Sequence, residues 1–249
     1  MKQPIRTLAN SDDIIALLAH EGDLSPAQIA EQLDLPRPTV YRLLDGLSSI
    51  DFTEPVRDSK TRLSLRWLRM ADAAREAMRE WRGADQVLTD LVERTGQTAY
   101  ITVPRDGEAV CVAWEQGNTI GVVETKPGRS LSMHAGAAGR VVLAYGTDLE
   151  GYLESNPKRQ RFNDRTLLTD DELRADVELT RQRGYAISEG DITDGITAIA
   201  VPVRGSKGKI AGSLTVSGLD EHFAGREDAI LEVLQDAAAR LGNLAQVSN

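Results

Sequence analysis

Ser25-Pro26-Ala27-Gln28-Ile29-Ala30-Glu31-Gln32-Leu33-Asp34-Leu35-Pro36-Arg37-Pro38-Thr39-Val40-Tyr41-Arg42-Leu43-Leu44-Asp45-Gly46-Leu47 is the stretch on which the reading of this chain turns. Ser25 with Gln28 three residues on is a capping box, and Pro26 suits a first helical position, so a short helix opens here and buries Ile29, Ala30 and Leu33. Asp34-Leu35-Pro36 makes a tight turn, and a further helix is expected over about residues 37–48. In it Val40, Leu43, Leu44 and Leu47 recur at i, i+3, i+4 and i+7 and face a core. The other side presents Arg37, Thr39, Tyr41, Arg42 and Asp45. Two short helices joined by a tight turn, the second polar at its start, is helix-turn-helix geometry. Such early residues reach base edges in the major groove, where Arg pairs with guanine and Thr touches a thymine methyl. From spacing alone, a helical pair in any α-domain with a solvated polar face accounts for the pattern equally well.

The flanks decide between these readings. Upstream, Ser11-Asp12-Asp13 followed by Ile14, Ile15, Leu17 and Leu18 reads as a capped amphipathic helix that ends at Glu21-Gly22-Asp23. Downstream, residues 50–55 and 62–65 are short extended stretches around the basic, turn-prone loop Val56-Arg57-Asp58-Ser59-Lys60-Thr61. A small hairpin after a recognition helix is a wing, whose Arg57, Lys60 and Arg62 suit phosphate or minor-groove contact and add salt-dependent affinity. The expected DNA contacts are therefore Ser25, Arg37, Pro38, Thr39, Tyr41, Arg42, Arg57, Lys60 and Arg62. Residues 67–81 hold strong helix formers and no Gly or Pro. They form one helix that serves either as linker and dimer seam or as the first helix of a second domain.

Composition agrees with a soluble two-part protein. The 249 residues carry 41% hydrophobic and 27% charged side chains, and the net charge is −9. Residues 1–83 hold 12 Lys and Arg against 13 Asp and Glu, whereas residues 84–249 hold 17 against 25. The near-neutral first part can cluster its bases on one face, while the acidic remainder opposes indiscriminate nucleic-acid binding. One cysteine, Cys111, rules out an intrachain disulfide and fits a reducing cytoplasm. No signal peptide and no membrane-spanning apolar run is expected.

From Gly83 onward helices and strands alternate. Residues 84–95 read as an amphipathic helix, residues 98–103 and 109–115 as a hairpin around Asp106-Gly107, and residues 119–125 as another strand. A helix over 135–145 comes next, then one over 170–183, capped by Thr169 and Gly184. Strands at 185–189, 196–204 and 210–218 precede a terminal helix over about 225–247. This is an α+β domain around an antiparallel sheet.

Catalytic and metal readings find no support. Gly212-Ser213 lacks the second glycine of a nucleophile elbow. No pair among His20, His134 and His222 has metal-ligand spacing. Gly136-Ala137-Ala138-Gly139 lacks the Lys-Ser/Thr of a phosphate loop and is better suited to close packing. Cys111 lies in an apolar strand pattern and reads as core, and His134 as a capping or packing residue. No cofactor is expected.

Three separated segments carry a resemblance to the IclR (isocitrate-lyase regulator) family. Leu35-Pro36-Arg37-Pro38-Thr39-Val40-Tyr41-Arg42-Leu43-Leu44 is close to its recognition-helix signature. Leu131-Ser132-Met133-His134-Ala135-Gly136-Ala137-Ala138-Gly139-Arg140 resembles its L-x-x-H-x-x-A-x-G-[KR] stretch. Gly184-Tyr185-Ala186-Ile187-Ser188-Glu189-Gly190, then Gly195-Ile196-Thr197-Ala198-Ile199-Ala200-Val201-Pro202-Val203, resembles its C-terminal signature. The family often has Gly where Arg66 stands and Cys where Ala198 stands, and the wing tip here also lacks Gly.

The resemblance implies a winged helix-turn-helix over 1–66, a linker helix over 67–82 and a GAF-like effector-binding domain over 83–249. It places ligand contacts at Ile120, Val123, Leu131, Ala137, Ala138, Ser188, Ile196, Ala198, Ser213 and Thr215, for each of which core or strand packing is the alternative. Small residues at a helix start leave its backbone N–H groups open to a carboxylate. The implied partners are double-stranded operator DNA, a small organic acid as effector, and further copies of the chain in a dimer or tetramer. The expected function is ligand-responsive transcriptional regulation of a catabolic or small-metabolite pathway, as repressor or activator. A small-molecule enzyme with an accessory helical domain and a winged-helix protein adaptor are the competing classes.

Overall fold

The computed structural model describes residues 5–118, 125–205 and 208–247. The chain forms two units that divide between Ala77 and Met78. The first contains α1 (Arg6–Glu21), α2 (Pro26–Gln32), α3 (Arg37–Ser49), the hairpin strands β1 (Thr53–Pro55) and β2 (Thr61–Leu63), and α4 (Arg66–Ala77). Ile14, Leu18, Leu24, Ile29, Ala30, Val40, Leu43, Leu44 and Leu47 form its core. Each large aliphatic buried there contributes about 1.5–3 kcal/mol. Leu33, expected inside, is half-buried at the core's edge.

Two expectations in this unit need correction. Helix α1 does not start at Ser11. Its N-cap is Ile5, without a side-chain cap, and Ser11 instead donates its hydroxyl to the Thr7 carbonyl at 2.9 Å. No Gly or Pro lies between Ile5 and Ser11, so nothing stops the helix propagating back past the apparent cap, and Ser11 back-bonds within it. The helix after the wing is likewise not continuous to Trp81. It ends at Ala77; Met78 leaves helical geometry (φ −80°, ψ 74°), and Arg79–Trp81 is a 3-10 turn. Nothing in α4 is buried, whereas Trp81 lies in the core of the second unit with Met78 packed against it, so burial overrides helix propensity there.

The second unit continues with α5 (Ala84–Thr95), β3 (Thr98–Arg105), β4 (Glu108–Glu115), β5 (Ser130–Leu131), α6 (Ala137–Gly146), α7 (Leu149–Ser155) and α8 (Asp170–Arg183). Then come β6 (Ala186–Glu189), β7 (Ile196–Arg204), β8 (Ile210–Leu219), α9 (Asp220–Phe223) and α10 (Glu227–Val247). The expected strand over 119–125 falls, but for Thr125, outside the described residues. All pairings in the six-stranded sheet, ordered β5-β4-β3-β8-β7-β6, are antiparallel. The architecture is the expected α+β class.

Strand alternation gives this sheet two unlike faces. Ala99 and Ile101 of β3, Leu214 and Val216 of β8, and Ile199, Val201 and Val203 of β7 join α5 and α10 in the main core. The opposite face carries Tyr100, Thr102, Ala198, Ala200, Ser213, Thr215 and Ser217, all buried but small or hydroxylated except Tyr100. Helix α6 covers part of it at close range. A Cβ on Gly139 would fall 2.0 Å from the Ser132 carbonyl oxygen, which is why this turn admits only glycine.

Candidate nucleic-acid interface and ligand cavity

In the first unit the Ser25 hydroxyl accepts from the Gln28 amide at 3.3 Å, and the Gln28 side chain accepts from the Ser25 amide at 2.9 Å. This reciprocal cap fixes the start of α2. Ser25 itself is half-buried. Asp34 takes a left-handed conformation (φ 50°) in the turn, and α3 begins immediately after Pro36. Arg37, Pro38, Tyr41 and Arg42 are exposed on α3, Tyr41 to 55%, while Thr39 is half-buried. None of the Arg37, Tyr41 and Arg42 side chains has an ion pair or hydrogen bond to any described residue.

The wing closes through Asp58 and Ser59, both left-handed (φ 58° and 55°), with the Lys60 amide donating to the Arg57 carbonyl at 3.3 Å. That is the mirror-type turn that two-residue hairpins require, here achieved without glycine. Leu24 and Thr61 exchange backbone hydrogen bonds at 3.0 and 2.8 Å, pinning the hairpin to the residue before Ser25. Arg57 and Lys60 sit at the tip. Arg62 differs: it pairs across the hairpin with Glu54, its Nε donating at 2.8 Å and a terminal nitrogen lying 2.7 Å from the same oxygen.

Sequence reasoning missed what Arg66 and Trp67 do. Arg66 donates to the Ile50 carbonyl and lies 5.0 Å over the Phe52 ring. Trp67 donates to the Phe52 carbonyl at 2.8 Å and packs on its ring at 4.7 Å. Where the family often has a flexible glycine, this chain clamps the start of α4 onto the end of α3 and the first wing strand. The signal was an Arg-Trp pair placed directly after a hairpin.

In the second unit a cavity of about 340 Å³ opens on the small-residue face of the sheet. Its floor is a row across three strands, Ser188 on β6, Ala198 on β7 and Ser217 on β8, which are successive register partners. Tyr100 and Ile196 flank this row. One wall is Arg129, Ser130, Leu131 and Ser132 with Gly136 and Ala137 at the start of α6; Gln160, Phe162, Ile192 and Thr193 complete the enclosure, and Thr125 also lines it. Of the expected ligand contacts, the fold brings together Leu131, Ala137, Ser188, Ile196 and Ala198. Ser213 and Thr215 are buried elsewhere on that face, and Ala138 is buried in α6. The Ser213 hydroxyl pairs with Thr102 at 2.7 Å and reaches the Ala138 carbonyl at 3.4 Å. Ile120 and Val123 lie outside the described residues.

The L-x-x-H-x-x-A-x-G-[KR] stretch resolves into separate physical tasks. Leu131 and Ala137 line the cavity. His134 is buried, bonds through Nε2 to the Gln160 carbonyl at 2.9 Å and stacks on Phe162 at 6.2 Å, so it anchors a lining loop. Arg140 is buried; it pairs with Asp176 at 2.6 Å and Asp191 at 3.6 Å, and donates to the Ile187 carbonyl. Asp191 is 5% exposed and accepts from the Ser188 hydroxyl and from the Gly136 amide at 3.1 Å. The Gly136 amide, at the N-cap of α6, is thus already engaged by a carboxylate of the chain itself.

Burial above all, with the nearby Asp191 carboxylate adding to it, raises the Tyr100 phenol far above its ordinary range, so it stays protonated. Burial likewise pushes the Cys111 thiol up to about 12, which makes it inert core. Among the described residues no cluster of His, Cys, Asp and Glu is arranged to hold a metal, and no helix is long and apolar enough to cross a membrane.

Comparison with known proteins agrees with this geometry. A model of the bacterial transcriptional regulator IclR C-terminal domain matches residues 78–243, and one of the IclR helix-turn-helix domain matches residues 7–57. The HTH-type transcriptional regulator BhcR of Paracoccus denitrificans is 30% identical over 247 residues, covering 93% of this chain and 86% of its own. An IclR transcriptional regulator from Alicyclobacillus acidocaldarius superposes with a TM-score of 0.85 at 21% identity, over 98% of this chain and 100% of that one. An IclR homolog from Microbacterium hydrocarbonoxydans, solved with 4-hydroxybenzoate, gives 0.84 at 21% identity, over 96% and 98%. These relatives are named for transcription regulation, not for catalysis, and the chain belongs to the IclR family of transcriptional regulators.

Proposed function

We propose that this regulator reads operator DNA with α3 and the wing, and that a small organic acid in the second-unit cavity controls that binding. The observation that carries the first half is the unpartnered, outward-facing set Arg37, Tyr41 and Arg42 on α3, with Arg57 and Lys60 at the wing tip. Arginines on such a helix reach guanine edges, and the wing bases hold phosphate. Arg62, tied to Glu54, contributes less than its two neighbours. The second half is supported by the cavity with its hydroxyls, and by a structural neighbour that was solved with 4-hydroxybenzoate.

The chain acts as a homo-oligomer in this reading. Ile5 and Leu8 of the first unit are exposed to 69% and 63%, and Leu65, Leu68 and Met70 around the start of α4 are exposed as well. Exposed apolar side chains of this number on one small unit support self-association, and a two-fold pair reads half-sites about one helical turn apart. The ligand acts only if it binds the DNA-competent and incompetent arrangements unequally.

The test is selection of bound fragments from a genomic library with the full chain, then titration of the selected fragment with Arg37→Ala and Arg42→Ala. Retention of a discrete set of fragments by the wild type, and their loss by the variants without loss of fold, is the expected result. Absence of any retained fragment at low salt would overturn the DNA-reading proposal. Capture of a protein partner through the same face would then favour the adaptor class.

A further inference from the structure

Strand β6 stands at one end of the six-stranded sheet and, among the described residues, pairs with β7 alone. An edge strand presents a row of backbone groups that another chain can pair with, and proteins blunt such rows. At the opposite end of the described sheet β5 spans two residues and is blunted by its shortness. β6 is longer, and Tyr185 and Ile187 are strong strand formers, so it needs another device.

The Gly190 amide donates to the Ile196 carbonyl at 2.9 Å, and Ala186 and Ser188 share its side of the backbone. By the alternation of an antiparallel ladder, the backbone groups of Tyr185, Ile187 and Glu189 point away from β7. Each of their three carbonyls accepts from an arginine. Arg183, at the end of α8, donates through Nε to Tyr185, and Arg140 of α6 donates through a terminal nitrogen to Ile187. Arg165, from the segment before α8, donates to Glu189 at 3.1 Å. Three parts of the fold converge on one row, with one guanidinium to every second residue.

Two of the three are pinned. Arg140 is buried and held by Asp176 and Asp191, and Arg183 lies 4.8 Å over the Tyr185 ring. Arg165 is exposed. At 3.1 Å from its carbonyl, the Arg165 nitrogen stands inside the roughly 4.8 Å that separates paired strands, so an added strand must first displace it. The charge-assisted hydrogen bond lost in doing so is roughly twice as strong as the neutral amide bond that would replace it. Here the edge faces a hollow of about 460 Å³, lined by Ile187 and Glu189 with Arg165, Thr197 and Phe223. The outward Ile187 and Glu189 amides donate to no described residue, so an incoming strand would find donors ready and only the acceptors closed.

We propose that Arg140, Arg165 and Arg183 guard the β6 edge and close the second unit's sheet to strand addition by another copy of this chain. Self-association is thereby confined to other surfaces, and Arg165 is the member whose loss opens the edge at least cost to the fold.

Sedimentation velocity of the full chain over a concentration series tests this, with circular dichroism to check the fold and the infrared band of intermolecular β-pairing as a second readout. The wild type should keep the same species throughout. Arg165→Ala should add larger species that grow with concentration and strengthen that band, and the double variant with Arg183→Ala should do so at lower concentration. Glu189→Pro removes an outward amide that an added strand needs and the described fold does not use. Combined with Arg165→Ala it should restore wild-type sedimentation, and in the wild-type background it should change nothing. If both arginine variants fold and sediment as the wild type does, the proposal is overturned. It is equally overturned if the larger species persist with Glu189→Pro, because they then form through another surface. Dissociation of the wild-type assembly by Glu189→Pro would show that the edge is already an interface, which also overturns it. Where the double variant does not fold, Arg165→Ala decides alone, since its side chain is exposed.

Discussion

The two units hold their functional side chains in opposite ways. In the first, Arg37, Tyr41 and Arg42 stand outside the core and form no ion pair or hydrogen bond with a described residue, so the fold depends little on them. In the second, the cavity lining and the core share one set of hydrogen bonds. Asp191 alone links α6 through Gly136 and Arg140, and β6 through Ser188. Changes on α3 should therefore alter recognition and leave stability alone, whereas changes around the cavity should alter both.

The largest expected effect tests the second half of that contrast. Arg140→Ala leaves Asp176 and Asp191 buried without their cation, and should cost about 3–5 kcal/mol in urea unfolding of the second unit. A loss below about 1 kcal/mol would mean that the cluster is solvated and the coupling is wrong. On the other side, Arg37→Ala or Arg42→Ala should weaken binding to a selected DNA site by about 1–3 kcal/mol and shift stability by no more than about 0.5 kcal/mol. A comparable drop in stability would show that α3 is not a detached surface.

Smaller effects sharpen the picture. Thr169 and Glu172 form a reciprocal cap on α8, with the Glu172 carboxylate held below its ordinary range by hydrogen bonds from Thr169 and Leu168. Thr169→Ala should cost about 1 kcal/mol at neutral pH. Because the folded pKa is depressed, the Glu172 share is present above the unfolded carboxylate value and lost as pH falls through the folded one. The difference between wild type and Thr169→Ala should accordingly shrink in acid, measured by unfolding at neutral pH and in the acid range below the folded Glu172 value. Smallest of all, Ser59→Gly relieves a left-handed serine at the wing tip and should stabilise the first unit by about 0.5–1 kcal/mol in thermal melts.

The same contrast explains how much could be read from sequence. Helix-turn-helix spacing is local: the Ser25-Gln28 cap and the Val40-Leu43-Leu44-Leu47 stripe lie within a few turns of each other, so α2 and α3 were legible with their faces. The α1 start failed because a serine followed by aspartates reads as a cap even where helix formers precede it. In the second unit Ser213 and Thr215 were expected at the ligand and Ser217 was not, because which hydroxyl faces the cavity depends on what α6 covers. Ser217 lines it while Ser213 is sealed against Thr102, a contact 111 residues apart in sequence. Asp191, Gln160 and Phe162 carried no local signal, because loops acquire their roles only from the elements that meet there. Resemblance supplied Leu131, Ala137, Ser188, Ile196 and Ala198 as cavity positions, but not the commitment of Ser188 to Asp191.

Equilibrium binding of the full chain to its selected site and to a scrambled duplex of equal length, each over a series of salt concentrations, tests the reading of DNA by α3 most directly. For Arg42→Ala the ratio of the two affinities should fall by about tenfold, the roughly 1–3 kcal/mol lost at one base contact, while both duplexes keep a similar salt dependence set by the wing and phosphate contacts. If the variant discriminates as well as the wild type and loses affinity for both duplexes equally, Arg42 meets phosphate and not a base edge, and recognition lies elsewhere on the molecule.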